Sequence, residues 1–78
     1  LSEIDHDNAA KLARMAGQIA DFYRPYPEQT AVEGISTHIN KFWTPRMRAE
    51  FLTAFPEGDD ALDPLLRAAR PLIRAASA

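Results

Sequence analysis

Apolar side chains at Leu12, Met15, Ala16, Ile19, Phe22, Tyr23 and Tyr26 recur three and four residues apart, the period of a helix with one face toward a core. Lys11, Arg14, Gln18 and Asp21 fall between them, on the face turned to water. The pattern predicts a helix over about 8–24. A polar, acid-rich lead precedes it, in which Asp5, Asp7 or Asn8 caps the first turn. Arg24-Pro25-Tyr26-Pro27 ends it, since neither proline can continue a helix interior. A second stripe, Ala31, Val32, Ile35, Ile39 and Phe42, predicts a helix from about 27 to 42. Gly17 and Gly34 lie beside these stripes, where a missing side chain admits close approach of a neighbour. Thr44-Pro45 is a cap followed by a residue at home in the first helical position, and it opens a third helix carrying Met47, Phe51, Leu52 and Phe55. After a breaker-rich loop at Pro56-Glu57-Gly58-Asp59-Asp60, the signal repeats at Asp63-Pro64. It opens a fourth helix with Leu65, Leu66, Ala69, Leu72 and Ile73, broken or kinked at Pro71. No alternating strand pattern occurs. The expectation is an all-α fold: a small single-domain bundle of about four helices with Pro-marked corners, spanning 1–78 and frayed over 1–7 and 75–78.

Length and charge narrow the function. A chain of 78 residues buries only about 60–65% of its unfolded surface, so a partner is a natural source of extra stability. Cysteine is absent from the sequence, which removes disulfides and thiolate metal sites. A net charge of −2 and a pI near 5.6 argue against bulk electrostatic binding to nucleic acid. No apolar run approaches the ~18 residues that span a bilayer, and the acidic, polar start is unlike a signal peptide. These features predict a soluble, cytoplasmic protein that binds neither nucleic acid nor membrane.

Candidate catalytic groups are sparse. Ser36 and His38 point about 200° apart on a helix, a poor geometry for a dyad. His6 and His38 are isolated and lack metal-ligand spacing. Gly17, Gly34 and Gly58 form no phosphate-cradling loop. The acids sit mostly near helix starts, where the dipole favours them. The chain therefore reads as no enzyme by itself. The segment His38-Ile39-Asn40-Lys41-Phe42-Trp43-Thr44-Pro45-Arg46-Met47-Arg48 is the densest in residue types enriched at protein interfaces. Phe42 reads as core, while Trp43 stands between core corner and interface. Of Arg46 and Arg48, about 200° apart, one is expected to pair with an acid such as Glu50 or Asp21 and the other to reach a partner. His38, sited at the flank of the stripe, reads as a boundary histidine or a contact. His38, Lys41, Trp43, Arg46, Met47 and Arg48 are thus the candidate partner-binding residues. Arg67, Arg70 and Arg74 recur at helical spacing. They make either a solvated face or the basis of an alternative, a small nucleic-acid or anionic-surface binding module. Self-association is a third possibility.

The segment 38–48 resembles the signature of the small delta subunit of cytoplasmic NAD-dependent, molybdenum- or tungsten-containing formate dehydrogenases. Lys11-Leu12-Ala13-Arg14-Met15-Ala16-Gly17-Gln18-Ile19-Ala20 resembles that family's first helix, and Phe22-Tyr23 and Tyr26-Pro27 extend the likeness. Leu62-Asp63-Pro64-Leu65 and Pro71 resemble its C-terminal part, so the likeness covers about 8–74. Residues 1–7 and 56–61 match nothing in that pattern. The resemblance implies a non-catalytic accessory subunit with no cofactor of its own. It further implies docking on a large alpha subunit that carries bis-molybdopterin guanine dinucleotide and iron–sulfur clusters, and through it contact with flavin and iron–sulfur subunits. Roles in complex assembly, stability or molybdenum-cofactor maturation are implied by the same likeness.

Overall fold

A computed structural model describes the backbone of residues 2–74 and the side chains of residues 8–74. Four α-helices and one 3₁₀ turn succeed one another: α1 (Ser2–Tyr23), α2 (Glu28–Phe42), α3 (Pro45–Ala54), α4 (Pro64–Ala69) and the 3₁₀ turn Arg70–Leu72. The expected all-helical bundle with prolines at its corners is what forms. Helix α1 packs on α2 and α3, and α2 packs on α4.

The caps behave as the sequence predicts. The Thr44 hydroxyl accepts the Met47 N–H at 3.1 Å, and an Asp63 carboxylate oxygen accepts the Leu65 N–H at 2.8 Å. In both helices proline occupies the first turn, where its missing N–H leaves no bond unmade. Pro71 converts the end of α4 into the 3₁₀ turn, the expected break. In the loop before α4, Gly58 holds φ at +81°, a left-handed conformation costly for any residue with a Cβ.

The start of α1 differs from expectation. The helix begins at Ser2 rather than near 8, which places Asp5, Asp7 and Asn8 inside it rather than at its cap. Nothing in that lead breaks a helix, because it contains neither Pro nor Gly. Asn8 instead reaches across to α3, where its amide donates to Glu50. Helical backbone thus runs from Ser2, and the fraying assigned to 75–78 lies outside the described residues.

The core unites Leu12, Ala16 and Ala20 of α1 with Ile35 and Ile39 of α2, Trp43 and Phe51 at the α2–α3 corner, and Leu62, Leu66, Ala69 and Ile73 at the C-terminal end. Ala16, Ala20 and Ala31 have no exposed surface, so α1 and α2 approach through alanines. Gly17 does not serve that purpose as expected, since a Cβ added there would meet nothing within 4 Å. Gly34 does: a Cβ there would meet three carbons of the Tyr23 ring within 2.9 Å.

Candidate functional site

Each of the first two helices carries two apolar rows. On α2 the core row is Ala31, Ile35, Ile39 and Trp43, spaced strictly four apart. Beside it, also at four-residue spacing, runs Gly34, His38 and Phe42. On α1 the core row Leu12, Ala16, Ala20 is flanked by Met15, Ile19 and Phe22. The α1 flanking row and His38 border an open groove of about 510 Å³ lined by Met15, Gln18, Ile19, Phe22, Tyr23, His38 and Trp43. The lining residue Tyr23 lies on Gly34.

Two aromatic rings stand exposed here, Phe22 in the groove lining and Phe42 against the lining residue His38. Phe22 is 66% exposed and Phe42 65%. Phe22 is edge-on to Tyr23 with centroids 5.0 Å apart, while the Phe42 ring lies 4.8 Å from that of His38. The Lys41 ammonium sits over the Phe42 ring, 5.7 Å from its centroid. An exposed Phe22 in an apolar groove, with the exposed Phe42 against its lining residue His38, is the kind of surface that marks an interaction site.

The corner reverses one expectation and resolves another. Phe42, predicted to be core, faces outward. Trp43 is the inward residue at 5% exposure, edge-on to Phe51 with centroids 5.7 Å apart. The cause lies in the backbone. Trp43 is the C-cap of α2 and leaves helical geometry at φ −83°, ψ 142°. It prolongs the four-residue core row and meets α3. Phe22, Tyr26 (48% exposed) and Leu72 (51%) also leave the core sets expected for them. Phe22 lies on the flanking row, and Tyr26 and Leu72 lie past the last turns of α1 and α4.

The sequence-predicted contact residues part company here. His38 and Trp43 line the groove, and Lys41 stands over the Phe42 ring. Met47 is partly buried against the core from α3. Arg46 is exposed and pairs with Glu50 at 3.4 Å, the acid expected for one of the two arginines. Arg48, the other of the two, is turned to backbone carbonyls. Its guanidinium donates to the carbonyls of Trp43 at 2.8 Å, Asn40 at 3.4 Å and Arg74 at 2.9 Å. These are orphan acceptors at a helix end, so Arg48 caps α2 and ties down the C-terminal segment. Asn40, which the sequence did not single out, does the rest. Its amide donates to the Leu72 carbonyl at 2.9 Å and accepts the Arg74 N–H at 2.7 Å.

Two arginines of the C-terminal stripe are likewise spent on backbone. Arg70 donates to the carbonyls of Phe55 at 2.7 Å and Leu52 at 2.9 Å, closing the end of α3, and Arg67 donates to the Leu62 carbonyl at 3.2 Å. Arg74 of the same stripe is exposed. A second electrostatic link unforeseen from the sequence joins Arg24, just past α1, to Asp63 at 2.8 Å and Asp21 at 2.8 Å. The Arg24 hydrogen bonds hold the Asp63 carboxyl below its ordinary range, aided by the Leu65 N–H. Ser36 is buried and donates to the Val32 carbonyl at 3.0 Å. No cluster of three His, Asp or Glu side chains able to hold a metal ion occurs among the described residues. No helix among them is long and apolar enough to cross a membrane.

Fold and groove together define a small all-helical domain with an open apolar groove on its first two helices. The family model described as NADH-dependent formate dehydrogenase delta subunit FdsD matches residues 11–70, well over half of the chain. The chain belongs to this family. The match spans both walls of the groove, the α2–α3 corner and α4. Comparison with curated proteins and with solved structures found no match.

Proposed function

We propose that this chain is a non-catalytic accessory subunit of a cytoplasmic formate dehydrogenase, docking on its large subunit and supporting assembly or stability of the complex. Family membership supplies the formate dehydrogenase context. The observation that carries the docking is the open groove lined by the two-thirds-exposed Phe22, with the equally exposed Phe42 against its lining residue His38. An isolated domain that keeps such rings in water gains by covering them.

In this reading the large subunit holds the bis-molybdopterin guanine dinucleotide and iron–sulfur clusters, and the flavin-bearing subunits are reached through it. This chain contributes no thiolate to those groups: it has no Cys. Its action is by mass action. A subunit that binds the folded, cofactor-loaded partner and not the unfolded one raises the partner's apparent stability by RT ln(1 + [L]/Kd). Support for cofactor maturation obeys the same logic if the bound state is the one that accepts the cofactor.

The test is recovery of the dehydrogenase through a tag on this chain, with native mass measurement of the recovered complex. The expected result is a stoichiometric complex containing the large subunit and its molybdenum or tungsten. Its yield and thermal stability should fall when this chain is omitted from expression. Recovery of the tagged chain without any dehydrogenase subunit would refute the reading.

A further inference from the structure

We infer that residues 72–74 form a strap that opens as a unit of its own, released from a slot in which Asn40 and Arg48 hold its main chain and Ile73 supplies the buried side chain. Pro71 ends regular helix, and at Ile73 the backbone turns extended at φ −79°, ψ 125°. Side chains along an extended chain alternate between faces. Leu72 and Arg74 are accordingly exposed, while Ile73 between them is buried in the core.

An extended segment cannot satisfy its own N–H and C=O groups, and here side chains of two helices do it. The Asn40 amide of α2 donates to the Leu72 carbonyl at 2.9 Å, and its oxygen accepts the Arg74 N–H at 2.7 Å. One carboxamide thus serves the acceptor and the donor that flank Ile73, as a residue of a neighbouring parallel strand would. Arg48 of α3 adds a bond to the Arg74 carbonyl at 2.9 Å. All three bonds go to main chain, so the slot reads an extended backbone and leaves the side chains of residues 72 and 74 unread.

Several features let the strap leave before the bundle unfolds. Its bonds to Asn40 and Arg48 lie at exposed positions, where water competes for every donor and acceptor. Ile73 also lines an open cavity of about 560 Å³ beside Leu52, Arg70 and Pro71, so empty space adjoins its seat. The slot, in contrast, stands without the strap. Arg48 also donates to the Trp43 and Asn40 carbonyls, and these bonds survive opening. A segment with one buried apolar group and solvent-exposed hydrogen bonds opens below the free energy of global unfolding. Opening bares the Asn40 amide, one edge of the Arg48 guanidinium and the seat of Ile73 together.

The test is native-state amide hydrogen exchange of the full chain, resolved by NMR over sub-denaturing urea concentrations. The Ile73 N–H, bonded to the Arg70 carbonyl at 3.0 Å, and the Arg74 N–H report the strap. The Ile35 and Ile39 amides of α2 report the bundle. The strap amides should share one protection factor, about tenfold or more below that of α2, and respond little to urea. Asn40→Ala should lower protection at both strap amides by one common factor of about tenfold or more, as two lost hydrogen bonds imply. Ile73 responds although its own bond to Arg70 is untouched. Arg74→Ala, which keeps every main-chain bond, should leave both protection factors unchanged. Strap amides with the protection and urea slope of α2 would make residues 72–74 integral to the bundle and overturn the inference. So would strap amides with no protection, a response to Asn40→Ala confined to Arg74, or loss of helical circular dichroism in that variant.

Discussion

Replacing Phe42 by Ala separates docking from folding. A phenylalanine side chain offers roughly 150–250 Å² of surface, and this one is 65% exposed, so about 130 Å² awaits a partner. At ~25 cal/mol per Å² that area is worth about 3 kcal/mol if fully covered. The figure is an upper bound, since incomplete covering and side-chain ordering reduce it. The expected loss is therefore about 10- to 100-fold in affinity for the dehydrogenase partner. Folding should hardly respond. The ring's close neighbours are His38, with centroids 4.8 Å apart, and the Lys41 ammonium, and alanine is the better helix former. Exposed substitutions of this kind stay within about 0.5 kcal/mol, which for a domain of this size is at most about 4 °C in Tm. The assay pairs thermal unfolding of the isolated chain with titration of the purified partner subunit. A Tm drop beyond about 10 °C would show that Phe42 holds the fold together. Unchanged affinity would show that the ring lies outside the interface. Either result refutes the argument.

Other substitutions probe the remaining contacts. Trp43→Ala should show the opposite pattern: a loss of about 3–5 kcal/mol in folding stability from a cavity beside Phe51, seen as unfolding well below the wild-type Tm. Any lost association should be traceable to the unfolded fraction. Gly17→Ala should stabilise by about 0.5–1 kcal/mol, since the new methyl meets nothing and helix propensity improves. Gly34→Ala should fail to gain that amount, because it drives a methyl into the Tyr23 ring. Denaturant midpoints of the two variants, compared at equal slope, test the contrast, and similar gains at both sites would contradict it. Asp63→Ala should cost about 1 kcal/mol through the lost cap of α4. Because the folded carboxyl titrates below its ordinary value, its contribution is complete above the unfolded carboxylate pKa of about 4. It is lost as pH falls through the lower folded value. The gap in Tm between wild type and variant should therefore close on acidification. A gap that widens at low pH would reverse the sign and refute the account.

How far these features were legible in the sequence depends on the physical signal each one leaves. Thr44-Pro45, Asp63-Pro64 and Pro71 combine a steric prohibition with a capping preference, so they place helix boundaries without knowledge of the rest of the chain. The start of α1 carries no such prohibition, and an acidic lead suits a cap as well as a first turn, so the boundary slipped to Ser2. Phe42 and Trp43 expose a different limit. Relative to Ile39 they stand three and four positions on, both allowed on an apolar face, and burial alone does not distinguish a Phe from a Trp. What separates them is the extended conformation of Trp43 past the end of α2, which sends its indole across to Phe51 and leaves Phe42 on the row that runs through His38. The same displacement redirects the arginines. A helix that ends in a corner leaves carbonyl groups that require donors. Arg48 is the side chain within reach, so a cation that looked available for a partner is consumed by the carbonyls of Asn40, Trp43 and Arg74. Arg70 is consumed in the same way at the end of α3. The open apolar surface lies instead on the side of the helix pair. There Phe22 of α1 and His38 of α2 line one groove, where the two helices carry the fully buried Ala16, Ala20 and Ala31 in place of larger side chains.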